Sequence, residues 1–235
     1  MRFMRSGPAS SRLTRWGASA MGWWLLTACA PQPGTHAGRP IAPVMSWQGW
    51  TWLEREGRAE EEGTDQLLAA LNVPERAVVA DVGCGSGFHA RRLAKEVGPD
   101  GVVWCVDLQP EMLARADALA AEEGLVNLRT VPGFADRVPL APASVDLVLM
   151  ADVFHELSDP LPVLASLREI LAPGGRVALV EFRLEGTTAA HIKTEHRMAA
   201  DQAIREWKDA GFTLVERVDT LPTQHLLLFG VAGGR

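Results

Sequence analysis

From residue 77 onward, short apolar runs rich in β-branched residues alternate with segments whose apolar positions recur at helical spacing. The runs cover 77–81, 102–107, 128–131, 145–150 and 176–182, and the helical segments between them cover 88–97, 110–123 and 161–171. Runs that are apolar at nearly every position predict strands covered on both faces, as in a parallel sheet. Strand–helix alternation of this length predicts a doubly wound α/β fold with helices on both faces of the sheet. Leu161, Leu164, Leu167 and Leu171 form a stripe that reads as core. A further helix over 201–210 carries Ile204 and Trp207 on one side and stops at Gly211. Two last runs, 213–219 and 226–231, lie close in sequence with Pro222 between them, which predicts an antiparallel hairpin ending a seven-stranded, mostly parallel sheet.

Upstream the pattern is different. Residues 47–75 read as an N-terminal helical extension, with one short helix within 46–62 lying over the open edge of the domain and a second over 64–71, ending before Pro74. Residues 30–46, rich in Pro, Gly and Ala, read as an extended tether without a core. Residues 1–29 read as an address rather than as fold: four arginines (Arg2, Arg5, Arg12, Arg15), a short apolar run, then Leu26-Thr27-Ala28-Cys29. That order resembles a bacterial lipoprotein signal, in which the cysteine thiol takes a lipid. The expectation is a lipid-anchored protein of the cell envelope, on the periplasmic side; the alternative is a cytoplasmic chain with Met45 as its true start. The body, 76–235, is long enough for one large domain.

Charge narrows the partners. The chain carries a formal −6, and removing the four leading arginines from its 23 basic residues leaves 19 against 29 acidic ones. Such a body is not built for a nucleic-acid backbone. Cys84 and Cys105 are not spaced as metal ligands and read as buried free thiols, with a disulfide between them as the alternative.

The candidate chemistry starts at Asp81-Val82-Gly83-Cys84-Gly85-Ser86-Gly87, directly after the first predicted strand. In open α/β sheets, ligands bind beyond the carboxyl ends of the strands, and glycines there permit tight turns and close approach. The spacing is G-x-G-x-G, one residue shorter than the G-x-G-x-x-G of dinucleotide enzymes. Asp107 ends the next strand, 20 residues beyond Gly87, where an acid can accept both ribose hydroxyls of a nucleoside.

With "VVADVGCGSGFHARRLA", "VVWCVDLQPEML", "PASVDLVLMADVFHEL" and "LREILAPGGRVALVEF" in this order, the chain resembles the class I S-adenosylmethionine-dependent methyltransferases from about Val78 to Val231. The closing "HRMAADQAIREWKDAGF" and "LPTQHLLLF" look like a bacterial subgroup of these proteins, many with export signals. The resemblance implies a Rossmann-like fold with S-adenosylmethionine as cofactor. It implies that Asp81 orders the loop, that Gly83, Cys84, Gly85, Ser86 and Gly87 bend around the methionine and ribose, that Asp107 holds the ribose hydroxyls, and that Leu108 packs on the adenine. The adenine amine would be met by Asp136, or by backbone with Phe134 stacking.

Methyl transfer from a sulfonium needs positioning and exclusion of water, and a base only where the acceptor loses a proton. The implied methionine end of the site is lined by Asp152, which is a catalytic candidate together with His155; His155 is either a base or a cap of its turn. Glu156 reads as a solvated or helix-start acid, Arg183 as an anion-binding group or a partner of Glu181 or Glu185. His191 and His196 lack a third ligand at metal spacing, so no metal is expected; His196-Arg197-Met198 either closes over the acceptor pocket or packs at a helix entry, and His225 reads as structural. The expectation is a methyltransferase acting on a small-molecule acceptor. Its rival is a non-catalytic nucleoside-binding scaffold at the envelope, favoured by an export signal on a chain whose cofactor is made in the cytosol. A nicotinamide oxidoreductase is disfavoured by the loop spacing and by the absence of tyrosine.

Overall fold

The computed structural model describes residues 34–231. The expected signal with Cys29, and the first residues of the expected tether, lie outside the described residues. The first elements are a two-residue hairpin, β1 (Thr35–His36) and β2 (Arg39–Pro40), a 3-10 turn Trp47–Gly49, and three short helices, α1 (Trp50–Leu53), α2 (Arg58–Glu62) and α3 (Thr64–Leu71). Then follow β3 (Val78–Val82), α4 (Phe88–Glu96), β4 (Val102–Asp107), α5 (Pro110–Glu122), β5 (Leu128–Pro132), β6 (Val145–Ala151), α6 (Pro160–Ile170), β7 (Leu171–Phe182), α7 (Ala200–Asp209), β8 (Phe212–Val218) and β9 (Gln224–Val231).

The seven long strands form one sheet in the order β5-β4-β3-β6-β7-β9-β8. The first five run parallel, and β9 is antiparallel to both β7 and β8. The sheet separates two cores. Val79, Cys105, Leu147, Leu149, Ala178 and Leu228 face α3, α4 and α5, whereas Ala80, Val82, Val148, Met150, Leu179 and Phe229 face α6 and α7. This is why the strand sequences are apolar at nearly every position: alternate side chains enter opposite cores, and neither face meets water. Strand order reverses between β3 and β6, and in sheets of this kind the crevice beyond that point takes the ligand.

Three sequence expectations need correction. The stretch read as a coreless tether is built into the body from Arg39 on. Arg39 is buried, its Nε donates to Glu206 Oε1 at 3.0 Å, and its Nη atoms donate to the carbonyls of His155 and Phe154, both at 3.2 Å. Ala42 N donates to His155 O at 3.1 Å. Proline and glycine remove local secondary structure, but a single arginine with a buried partner suffices to dock the chain.

The single helix expected within 46–62 is three short turns, because Gly57 and Gly63 adopt left-handed φ values of 80° and 67°. Within its charged run, Arg58 and Glu62 are buried against each other at 2.9 Å. The extension is also inseparable from the domain, since Leu67 and Leu71 of α3 belong to the core under β3. In the stripe read as core, Leu164, Leu167 and Leu171 are buried but Leu161 is 53% exposed in the first turn of α6.

Candidate active site

The glycine loop leaves β3 and folds back on β4. Gly83 N and Cys84 N both donate to Val106 O, at 2.7 and 3.2 Å. Gly83 and Gly85 have φ values of 74° and 53°, which favour glycine. A Cβ on Gly83 would overlap the Val153 side chain, and one on Gly85 would lie 2.6 Å from Leu53 Cδ1. The close approach at these two glycines is therefore made by protein side chains that shape one end of a cavity.

The same fold-back overturns the reading of Cys84 and Cys105 as free thiols. They form a disulfide with their Cα atoms 5.4 Å apart. Residue spacing did not reveal it, because the juxtaposition comes from the return of the loop onto the neighbouring strand.

The cavity, of about 630 Å³, opens at the carboxyl ends of β3, β4 and β6. Asp81, Gly83, Cys84, Gly85, Asp107, Leu108, Phe134, Asp152 and His155, all singled out from the sequence, line it. Ser86 and Gly87 do not. The buried Ser86 Oγ donates to Glu54 Oε1 at 2.6 Å, and Gly87 starts α4 against Ala116. These two residues brace the loop from behind instead of facing a ligand. Glu54 also pairs with Arg91 at 2.6 Å, so the segment after α1 is strapped onto the loop.

At the expected nucleoside end, Asp107 Oδ2 accepts from Gly85 N at 2.9 Å and Oδ1 from Gln109 N at 2.8 Å. Each oxygen retains acceptor capacity toward the cavity. Burial raises the Asp107 carboxyl above its usual range, against the pull of these N–H groups. Leu108 and Phe134 are each 48% exposed, large apolar surfaces on the cavity rim. The Arg137 guanidinium lies 3.9 Å over the Phe134 ring. Asp136 pairs with Arg137 at 3.2 Å and stands outside the lining, whereas Phe134 lines the cavity.

The deeper end holds polar atoms without partners. Asp81 is 2% exposed, and among the described residues its Oδ2 has no hydrogen-bond partner. Burial lifts this carboxyl to about 7, opposed by the Ala90 N–H and Arg58 and reinforced by Asp107. Both ring nitrogens of the buried His89 are likewise unpartnered, and burial together with the charges of Arg58 and Arg92 holds that ring neutral. Orphaned polar atoms in a cavity this size are what a ligand carrying both charged and polar groups would satisfy. An amino acid joined to a nucleoside is such a ligand.

At the other wall, Asp152 sits at φ 56° after β6. Its Oδ1 accepts from Phe182 N at 3.2 Å and its Oδ2 from Gln224 Nε2 at 2.7 Å. Burial, with Glu62 and Glu181 nearby, pushes this carboxyl well above its usual range. With both oxygens engaged to β7 and β9, Asp152 is a positioning group, and the expectation of a catalytic role for it is revised.

His155 is buried in a 3-10 turn, Phe154–Glu156, with both ring nitrogens bonded to protein. Glu156, read as solvated, is half-buried and lines the cavity; burial lifts it to about 7, against the pull of His155 and of the Met45 N–H that it accepts at 3.2 Å. Arg183 donates to Asp219 O at 2.6 Å and does not line the cavity. His225 is held by Glu185 and Asp219 at 2.9 and 3.3 Å, the structural role read from the sequence.

Sequence reasoning missed Arg58, Glu62 and His89 as lining residues. His89 stood in plain view in "GFHARRLA", yet nothing in a helical pattern marks which face is orphaned. Arg58 and Glu62 were hidden by a charge run that looks solvated until α2 is docked.

Comparison with known proteins agrees with this geometry. Residues 79–175 match the profile of the family Methyltransf_25, a methyltransferase domain. An arsenite methyltransferase of Halobacterium salinarum is 35% identical over 117 residues, 50% of this chain and 29% of that protein. The ubiquinone/menaquinone biosynthesis C-methyltransferase UbiE of Cupriavidus metallidurans is 31% identical over 115 residues, 49% of this chain and 47% of that protein. The chain thus spans half or less of the curated relatives it matches. The crystal structure of a SAM dependent methyltransferase from Aquifex aeolicus superposes with a TM-score of 0.76 and 26% identity, covering 80% of this chain and all of that one. The described body accordingly has a Rossmann-like fold like that of solved class I methyltransferases, and residues 79–175 match the model of a methyltransferase domain.

Proposed function

We propose that this protein transfers a methyl group from S-adenosylmethionine to a small acceptor. One observation carries the reading: the glycine loop, Asp81 and Asp107 converge on one cavity where the strand order reverses, within the stretch that matches a methyltransferase-domain model. When bound, S-adenosylmethionine supplies an electrophilic methyl on a sulfonium. The residues of the chain bind, orient and shield. Asp107 would hold the ribose hydroxyls, Leu108 and Phe134 the adenine, and Asp81 and His89 the amino-acid end. Met45, Trp52 and Leu53 line the cavity from the N-terminal side and would help shield the methyl donor from water.

Calorimetry with the full chain tests this. S-adenosylmethionine and S-adenosylhomocysteine should both bind, and NAD should not; a folded protein that binds neither of the first two ends the reading. Binding of both without turnover on any acceptor would instead favour the scaffold rival.

The reading includes an envelope location through a lipidated Cys29. The Cys84–Cys105 disulfide supports it, since such bonds persist in oxidising compartments. Cys29→Ser should abolish lipid labelling in cells, and equal labelling of both forms would refute the anchor.

A further inference from the structure

Beside the cavity, β7 and two 3-10 turns bring a carboxylate and two imidazoles into one line. His155 Nδ1 lies 2.5 Å from Glu181 Oε2, and the His155 backbone N–H donates to Glu181 Oε1 at 3.3 Å. His155 Nε2 lies 3.1 Å from Nδ1 of His196, the last residue of the turn Thr194–His196. The two rings meet edge to face at 86°. Glu181 and His155 are buried, whereas His196 is half-buried and lines the cavity with Ile192 and Lys193. Among the described residues His196 Nε2 has no hydrogen bond. The line is held at both ends. Met198 N donates to Phe182 O at 2.8 Å, fixing the second turn to the end of β7, and Arg39 grips the carbonyls of Phe154 and His155.

We propose that Glu181, His155 and His196 form a proton relay in which His196 Nε2 is the general base toward an acceptor bearing an O–H or S–H group. This rests on the methyltransferase reading above. Glu181 accepts from His155 Nδ1–H, which leaves His155 Nε2 to accept from His196 Nδ1–H and places a lone pair on His196 Nε2. When the acceptor's O–H or S–H bond breaks, its electron pair stays on oxygen or sulfur and the proton bonds to His196 Nε2. The Nδ1 proton of His196 passes to His155 Nε2. The positive charge ends on His155 against Glu181, where it is paired. The acceptor class follows: a phenol, alcohol or thiol becomes a better nucleophile by losing that proton, whereas a carboxylate has none to lose.

The surrounding charges fit. His155 faces Glu181 from β7, Asp152 from the end of β6, Glu156 from its own turn and His196 from the opposite turn; Lys193 and Glu195 flank His196. Burial pulls His155 down, but the charge and hydrogen bond of Glu181, with Asp152 and Glu156, lift it to about 9. Burial and the charge on His155 keep His196 below its ordinary value. The base form of the pair therefore grows as pH rises toward about 9. His155, Glu156 and His196 also bring three ligand-type atoms within 4.8 Å of one another. A divalent cation there would have to take a ring nitrogen of His155 from Glu181 or from His196.

NMR of the full chain labelled with ¹⁵N-histidine, with S-adenosylhomocysteine added, shows which ring nitrogens carry protons. Above about pH 9, His196 should carry its proton on Nδ1 and have a bare Nε2. On acidification one proton should enter the pair, with both rings changing together: His155 becomes doubly protonated and His196 switches to Nε2–H. Glu181→Gln should move this shared step down by about 1–3 pH units. His196→Gln, on the half-buried ring, should leave the protein folded and able to bind S-adenosylhomocysteine, with His155 titrating alone. Independent titration of the two rings, or an Nε2 proton on His196 at every pH, would overturn the relay. So would Zn²⁺ abolishing the shared step and a chelator restoring it, which would mark a metal site. Failure of a folded protein to bind S-adenosylhomocysteine would instead count against the methyltransferase reading, and with it the role of His196 toward an acceptor, while the shared protonation step would still be read from the two rings.

Discussion

Asp107 does two things at once. Its carboxylate oxygens cap the backbone N–H groups of Gly85 and Gln109, and the same group lines the cavity where the ribose is proposed to bind. Asp107→Ala should therefore weaken S-adenosylhomocysteine binding more than it weakens the fold. Loss of hydrogen bonds to a charged group is worth about 1.5–3 kcal/mol, or roughly a tenfold to hundredfold fall in affinity. Calorimetry beside a thermal melt separates the effects; unchanged affinity in a folded variant would remove Asp107 from the ribose site. The residue was legible in the sequence, because its distance from the glycine loop is fixed by one helix and one strand. Its bonds to Gly85 and Gln109 were not, since they depend on how tightly the loop closes on β4.

At the N-terminus, the elements with the weakest local signals make specific contacts. The hairpin β1–β2 is two residues a side, far too short to be stable alone. It is held by Arg39, whose buried partner Glu206 also accepts from Gln202 Nε2 at 2.7 Å. Removing one member of a buried pair strands the other, so Arg39→Ala should destabilise the fold by about 3–5 kcal/mol. The double variant Arg39→Met/Glu206→Leu should recover most of that loss. Denaturant unfolding of both variants checks this, and a neutral Arg39→Ala would return the segment to the status of a tether. The helices of the body, by contrast, were read to within a residue or two at their ends, because each carries an apolar face and a stop such as Gly211.

The whole site is an acidic bowl. Asp81, Asp107, Asp152 and Glu156 all line the cavity, and burial raises every one of their carboxyls. For Asp81 and Glu156 the folded values, both about 7, exceed the ordinary 3.8 and 4.5, so the stabilisation they contribute is present below those ordinary values and is lost as pH rises through about 7. A cationic ligand favours their charged forms. Binding of S-adenosylmethionine should therefore tighten between about pH 5 and 8 and release protons, and the neutral thioether S-adenosylhomocysteine should show a smaller dependence. Calorimetry in buffers of different ionisation heat measures the protons released. An affinity for S-adenosylmethionine that does not change over this range would mean these carboxyls do not sense its charge.

Much of this molecule is local in origin. The doubly wound sheet, the glycine loop and the acid after the second strand follow from periodicity and spacing along a few dozen residues, and those survive in a linear chain. The disulfide, the docking of Arg39 and the line Glu181–His155–His196 join positions from different elements. His155 and His196 lie 41 residues apart, and Arg39 and Glu206 167 apart. At such separations no periodicity couples the partners. Which polar groups meet, and which lose water, is decided only when the strands are ordered and the loops beyond them close over the cavity.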